Sequence, residues 1–210
     1  MLYVYMGIDG SRAFDLSHMY FWDYTTDTPG ERQVIDQSFD PFRDRLSRDI
    51  RNDLSESLMV CLREQQLQPA QAVASRYLSA VPGLARTRYI TDRLRRYALF
   101  LAQVPQGPEE VLRLGLLLWE LELYFEVHEI LEHAWREATG ENKKFLQAMI
   151  RAAGVFIKGA YGFEHAAASL AAKALPVLEA NRSRLAVYTD PEALMQAVHR
   201  QAGGGELAQH

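Results

Sequence analysis

The ionisable side chains near the middle of the chain are the part of the sequence most suited to chemistry. Residues 124–135 read Tyr-Phe-Glu-Val-His-Glu-Ile-Leu-Glu-His-Ala-Trp. On a helix, His128, Glu132 and Trp135 share one face, with Tyr124 one turn before them. Apolar residues flank this face, so we expect it to point partly into the core. Buried ionisable groups cost free energy unless they are paired, hydrogen-bonded or metal-bound. The sequence therefore predicts a buried His/Glu/Trp site on this helix.

The spacing of these residues excludes the common helical metal motifs. A zincin needs His-Glu-x-x-His, but Glu132 stands where the second His should be, and Glu129 stands where the inverted motif needs its first His. The di-iron Glu-x-x-His pattern fails as well, because neither histidine has a Glu three residues before it. An i, i+4 pair remains, in which His128 and Glu132 are two candidate ligands for Zn²⁺, Mn²⁺ or Fe²⁺.

Three interpretations of the pair stay open. In the first, a metal is the cofactor, the third ligand comes from Glu129, another helix or a symmetry mate, and Trp135 walls a hydrolase-like site. In the second, Arg151 or Lys158 holds a small anion, His128 is the general base and Glu132 orients it. No nucleophile is evident for that chemistry, so the sequence leaves open whether the protein is an enzyme.

The third interpretation is a structural or interaction role, which the sequence favours. Gln147, Arg151 and Lys158 form one polar stripe on the following helix. Arg151 paired with Glu132 or Glu129 would lock the two helices together, as bidentate ion pairs do. Glu132 would accept a hydrogen bond from His128 or from the indole of Trp135.

Other reactive side chains have simpler interpretations. Glu129 and His133 form a second i, i+4 pair on a face rotated away from the first, and we expect His133 to be solvated or at an interface. His165 is expected at the surface. Cys61 lies on an apolar helix stripe and is expected in the core. As the single cysteine, it excludes an internal disulfide and a Cys-based zinc site.

Charge and composition limit the partners. The net charge is −4, so no overall field attracts nucleic acid or anionic lipid. Five arginines cluster between residues 86 and 96, but Tyr89 and Tyr97 fall near the apolar stripe and not beside them as stacking platforms. We expect these arginines to be solvated or to pair with acidic residues of 40–66. Residues 112–123 are too short and too charged to span a membrane, and no signal peptide is evident. We therefore expect a cytoplasmic protein with neither a nucleic-acid nor a membrane partner.

Helical periodicity runs from residue 40 to residue 200 and predicts an all-α bundle of about seven or eight helices. The first helix is expected to begin at Asp40-Pro41, an N-cap followed by proline. The motif helix is expected to end at Thr139-Gly140 and to form an antiparallel pair with residues 141–160. Residues 1–30 are aromatic-rich and irregular, with a short strand over 2–6.

The chain divides by pattern into an N-terminal helical extension (1–105), a helical bundle (106–200) and a disordered tail (201–210). The aromatic N-terminus and the alanines of 166–172 predict self-association. A two-fold homodimer is the expected form, since it is the commonest oligomer.

The motif also resembles a known family. Residues 124–132, Trp135, Thr139-Gly140, residues 145–147 and residues 162–174 are similar to the DUF309 family, over about residues 110–180. The hallmark of that family is His, three residues, Glu, two residues, then Trp or Tyr. The resemblance implies an all-α bundle, a suspected metal site and no assigned activity. The family commonly has an Asn-x-Gly turn before the paired aromatics, where this chain has residues 120–123.

Overall fold

Helices are the regular secondary structure throughout the residues that the structure describes, which are 38–80, 82–104 and 110–203. In this computed structural model those residues form nine helices: α1 (Arg45–Glu64), α2 (Gln68–Leu78), α3 (Leu84–Gln103), α4 (Val111–Glu120), α5 (Tyr124–Glu137), α6 (Gly140–Gly159), α7 (Glu164–Ala180), α8 (Arg182–Leu185) and α9 (Pro191–Ala202). The all-α prediction is confirmed. The described residues form one helix more than the seven or eight predicted. The additional helix is the four-residue α8, which follows α7 after Asn181 and is too short to have a periodic signal.

The first helix begins later than the sequence predicts. Asp40 caps a turn instead of a helix, because its carboxylate accepts hydrogen bonds from the backbone N–H groups of Phe42 (2.9 Å) and Arg43 (3.1 Å). Asp44 is the true N-cap of α1 and accepts from the backbone N–H of Ser47 at 2.8 Å. Two Asp residues four positions apart both satisfy the cap preference, and the turn occupies the first of them.

A tight turn sets the start and direction of α5, the helix that contains His128 and Glu132. Between α4 and α5, Glu122 has φ +55°, and the backbone N–H of Leu123 donates to the carbonyl of Leu118 at 2.9 Å. This left-handed position lies where the resembling family has its Asn-x-Gly turn, and a non-glycine residue holds it at some conformational cost. The turn fixes where α5 begins and therefore which face His128 occupies.

Helices α5 and α6 form the antiparallel pair that the sequence predicts. Tyr124 at the start of α5 stacks on Phe156 near the end of α6, with 4.2 Å between ring centroids. Lys143 at the start of α6 lies 4.6 Å from the ring centroid of Trp135 near the end of α5. The connection turns at Gly140, where φ is +57°. Glycine adopts this conformation without the steric penalty of a Cβ atom.

Small residues let α6 and α7 pack closely. Ala148, Ala152 and Ala153 of α6 and Ala167 and Ala171 of α7 are all buried. Two of the five alanines that motivate the predicted dimer, Ala167 and Ala171, are therefore buried inside the chain. The dimer itself stays a prediction.

The remaining fold predictions have mixed outcomes. Cys61 is fully buried, as predicted. The predicted strand over 2–6 and the aromatic segment 1–30 lie outside the described residues. Helix α9 continues to Ala202, two residues into the segment predicted to be a disordered tail, and residues 204–210 lie outside the description. The chain divides into two units, Met1–Ile35 and Asp36–His210, and every described residue belongs to the second. None of the helices described is long and apolar enough to cross a bilayer.

Candidate functional site

Three side chains of α5 converge on a small volume at its outer edge. His128 Nδ1 lies 3.1 Å from Glu129 Oε1 and 3.7 Å from Glu132 Oε2. One ligand atom from each of the three residues lies within 4.8 Å of the others. His128 and Glu132 are thus brought together as the i, i+4 spacing predicts. We call these three residues the acidic cluster.

The cluster is partly exposed, which corrects the prediction of a buried site. The side chains of His128 and Glu132 are 33% and 32% exposed. Their neighbours Val127 and Leu131 are fully buried and define the core face of α5. His128 and Glu132 each follow one of these residues by one position, and the 100° rotation per residue places them at the boundary with solvent.

Glu129 belongs to the cluster, and not to the separate pair with His133 that the sequence predicts. No ion pair joins Glu129 to His133 in the part of the chain that the structure describes. The pKa of Glu129 is lowered, chiefly by the hydrogen bond from His128 and further by the positive charges of Arg51 and Arg136. His133 and His165 are exposed, as predicted.

Arg136 is a further neighbour of the cluster. Its Nη2 atom lies 3.3 Å from Glu132 Oε1, one helical turn along α5, and its side chain is 66% exposed. An exposed i, i+4 pair of this kind contributes little stability. Arg136 therefore offsets charge near Glu132 without closing the face of the cluster.

The two aromatic residues of the motif pack toward α6. The ring of Tyr124 lies between Phe156 and Trp119, the latter at 5.2 Å edge to face. Trp135 has its indole Nε1 buried, with no hydrogen-bond acceptor among the described residues. The predicted hydrogen bond from Trp135 to Glu132 is therefore not formed.

The polar stripe predicted on α6 does not pair with the cluster. Arg151 forms no ion pair with Glu129 or Glu132 within the described ranges, and Gln147 forms no hydrogen bond to either of them. Lys158, at the far end of α6, lies over the rings of Phe42 (4.1 Å to the centroid) and Phe163 (5.0 Å). The helix-locking ion pair expected from Arg151 is absent from this part of the fold.

A buried polar network does exist, but it is centred on Glu126. This side chain is almost fully buried, and its Oε1 accepts a hydrogen bond of 2.7 Å from the Tyr97 hydroxyl. Arg93 Nε lies 3.5 Å from the same oxygen. Glu126 Oε2 and Arg93 Nε have no hydrogen-bond partner among the described residues. Burial and the neighbouring carboxylate raise the pKa of Tyr97 well above its ordinary value, so its hydroxyl stays a donor.

Sequence analysis missed this network, although a signal for it exists. Arg93 stands three residues after Ile90 and four before Tyr97, so it lies on the buried stripe of α3. Glu126 stands three residues after Leu123 and four before Ile130, on the buried stripe of α5. Opposite charges on the apolar stripes of two helices indicate a buried pair.

Of the other arginines in the 86–96 run, Arg86, Arg95 and Arg96 are ion-paired and Arg88 is exposed, as expected. Arg86 Nη2 lies 2.8 Å from Asp44 Oδ2, so residues of 40–66 do provide one partner. Arg96 pairs with Asp92 at 2.7 Å and with Glu122 at 3.0 Å. Arg93 is the exception, because it is buried against Glu126.

Comparison with known proteins identifies the segment that contains the cluster. Residues 112–170 match the family described as "Domain of unknown function (DUF309)". The matched residues run from α4 into α7 and include the whole of α5. Searches among curated proteins and among solved structures found no match. Residues 112–170 of this chain, which contain the acidic cluster, are therefore similar to the DUF309 family.

Proposed function

We propose that His128, Glu129 and Glu132 bind a divalent metal ion. The observation that supports this most directly is that two carboxylate oxygens lie 3.1 Å and 3.7 Å from His128 Nδ1, with all three ligand atoms within 4.8 Å of one another. With metal–ligand bonds of about 2.0–2.1 Å, neighbouring ligand atoms of a tetrahedral zinc site lie about 3.3 Å apart. Small side-chain rotations would therefore complete the site without moving the backbone.

The ligand types determine which metals fit. One imidazole and two carboxylates suit Zn²⁺, Mn²⁺ or Fe²⁺, whereas a calcium site would use oxygen ligands alone. Three protein ligands leave coordination positions for water or a substrate atom, an arrangement found in catalytic metal sites. Partial exposure of the cluster gives such a molecule access. A metal-dependent, hydrolase-like activity is the enzymatic form of this proposal.

The electrostatics of the cluster favour a cation. Glu129 offers a carboxylate oxygen, and a metal ion on His128 Nδ1 would replace the proton that this nitrogen donates to Glu129 in the metal-free protein. Glu132 adds a second carboxylate, and its partner Arg136 is mostly exposed and held only at 3.3 Å. A bound divalent ion would neutralise two like charges that otherwise face each other across His128.

A purely structural role suits the cluster less well than it suits Glu126. Buried, paired polar groups fix how two helices align. The Tyr97–Glu126–Arg93 network is such a group of contacts between α3 and α5. The cluster forms its ion pairs within α5 itself and stays about one third exposed. Such pairs contribute about 0–1 kcal/mol to stability.

Thermal unfolding with and without metal tests the proposal. An ion that binds only the native state stabilises it by about 2.7 kcal/mol at one hundred times its Kd. We expect added Zn²⁺ or Mn²⁺ to raise the melting temperature of chelator-treated protein. The increase should disappear in His128→Ala and in Glu132→Ala.

His133→Ala is the matched control, because His133 is an exposed histidine on the same helix outside the cluster. Its response to metal should equal that of the unmodified protein. Equal responses in His128→Ala and His133→Ala would assign the effect to surface binding and reject the proposal.

A further inference from the structure

Two half-buried cations near the acidic cluster lie on aromatic rings and pair with no carboxylate in the described residues. Arg51 of α1 has its guanidinium carbon 3.9 Å from the ring centroid of Phe125. Its Nε and Nη2 atoms both donate to the neutral amide oxygen of Asn52, at 3.1 Å and 2.9 Å. Among the described residues, Lys158 of α6 contacts the rings of Phe42 and Phe163 and no carboxylate.

The two cations approach a common ring. Phe42 lies 4.1 Å from Lys158 Nζ and 5.9 Å from the Arg51 guanidinium carbon, measured to its centroid. Tyr161 and Phe163 contact the same ring edge to face, at 5.3 Å and 5.0 Å. Cation–π contacts are favourable, but they satisfy no N–H donor, so the Lys158 ammonium and Arg51 Nη1 have no acceptor among the described residues. Two positive charges are therefore concentrated around one aromatic side chain.

Arg51, the cation on α1, lies against the helix that carries the acidic cluster. Phe125, on which Arg51 lies, is one helical turn before Glu129 on α5. A ligand held by Arg51 would thus have part of its length within reach of the cluster.

The absence of a carboxylate partner distinguishes Arg51 from the other half-buried arginines nearby. Arg86, Arg93 and Arg96 each lie within 4 Å of a carboxylate oxygen. Burial lowers the pKa of Arg51, because desolvation disfavours its charged form. Desolvation without a carboxylate oxygen within 4 Å in the described residues makes the Arg51 guanidinium a candidate position for an external anion.

We propose that Arg51 and Lys158 bind a phosphate group, so that the acidic cluster and these cations together accept a phosphorylated small molecule. A phosphate monoester carries a charge of about −1.5 to −2 near neutral pH, which two cations balance. The planar guanidinium binds two phosphate oxygens at once, and lysine adds a point charge. The claim that one ligand occupies both the cluster and the cations rests on the proposed metal site, whereas the phosphate subsite does not.

Calorimetric titration with inorganic phosphate tests the subsite in the full-length, chelator-treated protein at constant ionic strength. We expect binding by the unmodified protein and a loss of at least about tenfold in affinity for Arg51→Gln and for Lys158→Gln. Lys158→Arg keeps a cation over Phe42 and should retain binding. Lys144→Gln is the matched control, because Lys144 is an exposed α6 lysine paired with Glu141.

The outcomes separate this inference from the metal proposal. Phosphate binding that is lost in both variants supports the subsite even if the protein takes up no metal. No phosphate binding at millimolar concentration by the unmodified, folded protein overturns it. It is equally overturned if phosphate binds only to metal-loaded protein and with unchanged affinity in Arg51→Gln and Lys158→Gln, since the metal alone would then hold the anion.

Discussion

Two carboxylates three residues apart on α5 have opposite environments. Glu126 is buried and bonded to Tyr97, whereas Glu129 is about half exposed and belongs to the acidic cluster. The 3.6-residue period places both near the side of α5 that adjoins α1 and α3, with Glu126 deeper. One residue therefore holds the helices together, and the other is free to bind a ligand.

The contribution of the buried Tyr97–Glu126–Arg93 network to the stability of the protein can be measured. Tyr97→Phe removes the hydroxyl that donates to Glu126 and leaves a buried carboxylate with one fewer partner, so we expect a loss of about 1–3 kcal/mol in the free energy of unfolding. Chemical denaturation measures it. Tyr188→Phe is the comparison, since the Tyr188 hydroxyl also donates to a glutamate, but that partner, Glu110, is exposed.

The comparison variant should lose no more than about 0.5 kcal/mol. Equal losses in the two tyrosine variants would contradict the importance assigned to the buried network. A loss confined to Tyr97→Phe would support it.

For individual side chains, the sequence predicts only some of the contacts that the structure shows. The i, i+4 rule brings His128 and Glu132 together, as predicted. It does not reveal that Glu129 turns toward His128, because residues one position apart meet only through particular rotamers. It also misses Tyr97 and Glu126, which lie 29 residues apart and meet only after α3 packs on α5.

Among the helical elements, α4 and α5 approach closely at a glycine. A Cβ atom on Gly115 would lie 3.0, 3.3 and 3.5 Å from three carbons of the Leu131 side chain, which is fully buried. A Cβ atom on Gly154 would meet only one carbon of the half-buried Leu170, at 3.0 Å. The two glycines therefore differ in whether the neighbouring side chain can move.

We expect Gly115→Ala to destabilise the protein by about 1–2 kcal/mol through overpacking. Gly154→Ala should change stability by less than about 1 kcal/mol, in the stabilising direction, because alanine has the higher helix propensity. Paired denaturation curves measure both. Equal effects in the two variants would show that the α4–α5 contact is not tightly packed.

The start of α1 predicts a pH dependence. The pKa of Asp44 is held well below its usual range, first by the Ser47 hydroxyl and then by Arg86. A carboxyl group whose pKa is lower in the folded state stabilises the fold above its unfolded pKa of about 3.9, and this contribution is lost as the pH falls further.

Asp44→Ala should therefore cost about 1–2 kcal/mol near neutral pH, since it removes the N-cap as well as the ion pair. Asp44→Asn keeps a capping oxygen and should cost less. Thermal melts across the acidic range measure this, and the deficit of each variant should shrink below about pH 4. A deficit that stays constant with pH would contradict the role of the charge.

Helix periodicity was sufficient to predict the all-α class and the α5–α6 pair, because the apolar stripes and Gly140 are local signals. Helix boundaries were less predictable. Asp40 and Asp44 are both suitable caps, and only the turn around Pro41 selects the second. Glu122 adopts a left-handed conformation although it is not a glycine, so its residue type does not predict the turn.

Over the whole molecule, the described residues combine a core built on α6 with a charged face along α5 and α1. The core uses alanines to bring α6 and α7 together. The α5 face carries the acidic cluster, and Arg51 and Lys158 carry unpaired positive charge beside it. Adjacent regions of opposite charge suit a ligand that contains both a metal ion and a phosphate group.

The central claim is that the acidic cluster holds one divalent ion, and the metal content of the protein tests it most directly. Chelator-treated protein is dialysed to equilibrium against Zn²⁺ or Mn²⁺, and the bound metal is measured by elemental analysis. We predict about one ion per chain for the unmodified protein and for His133→Ala, and almost none for His128→Ala. No bound ion in the unmodified protein, or the same content in all three proteins, would contradict the claim.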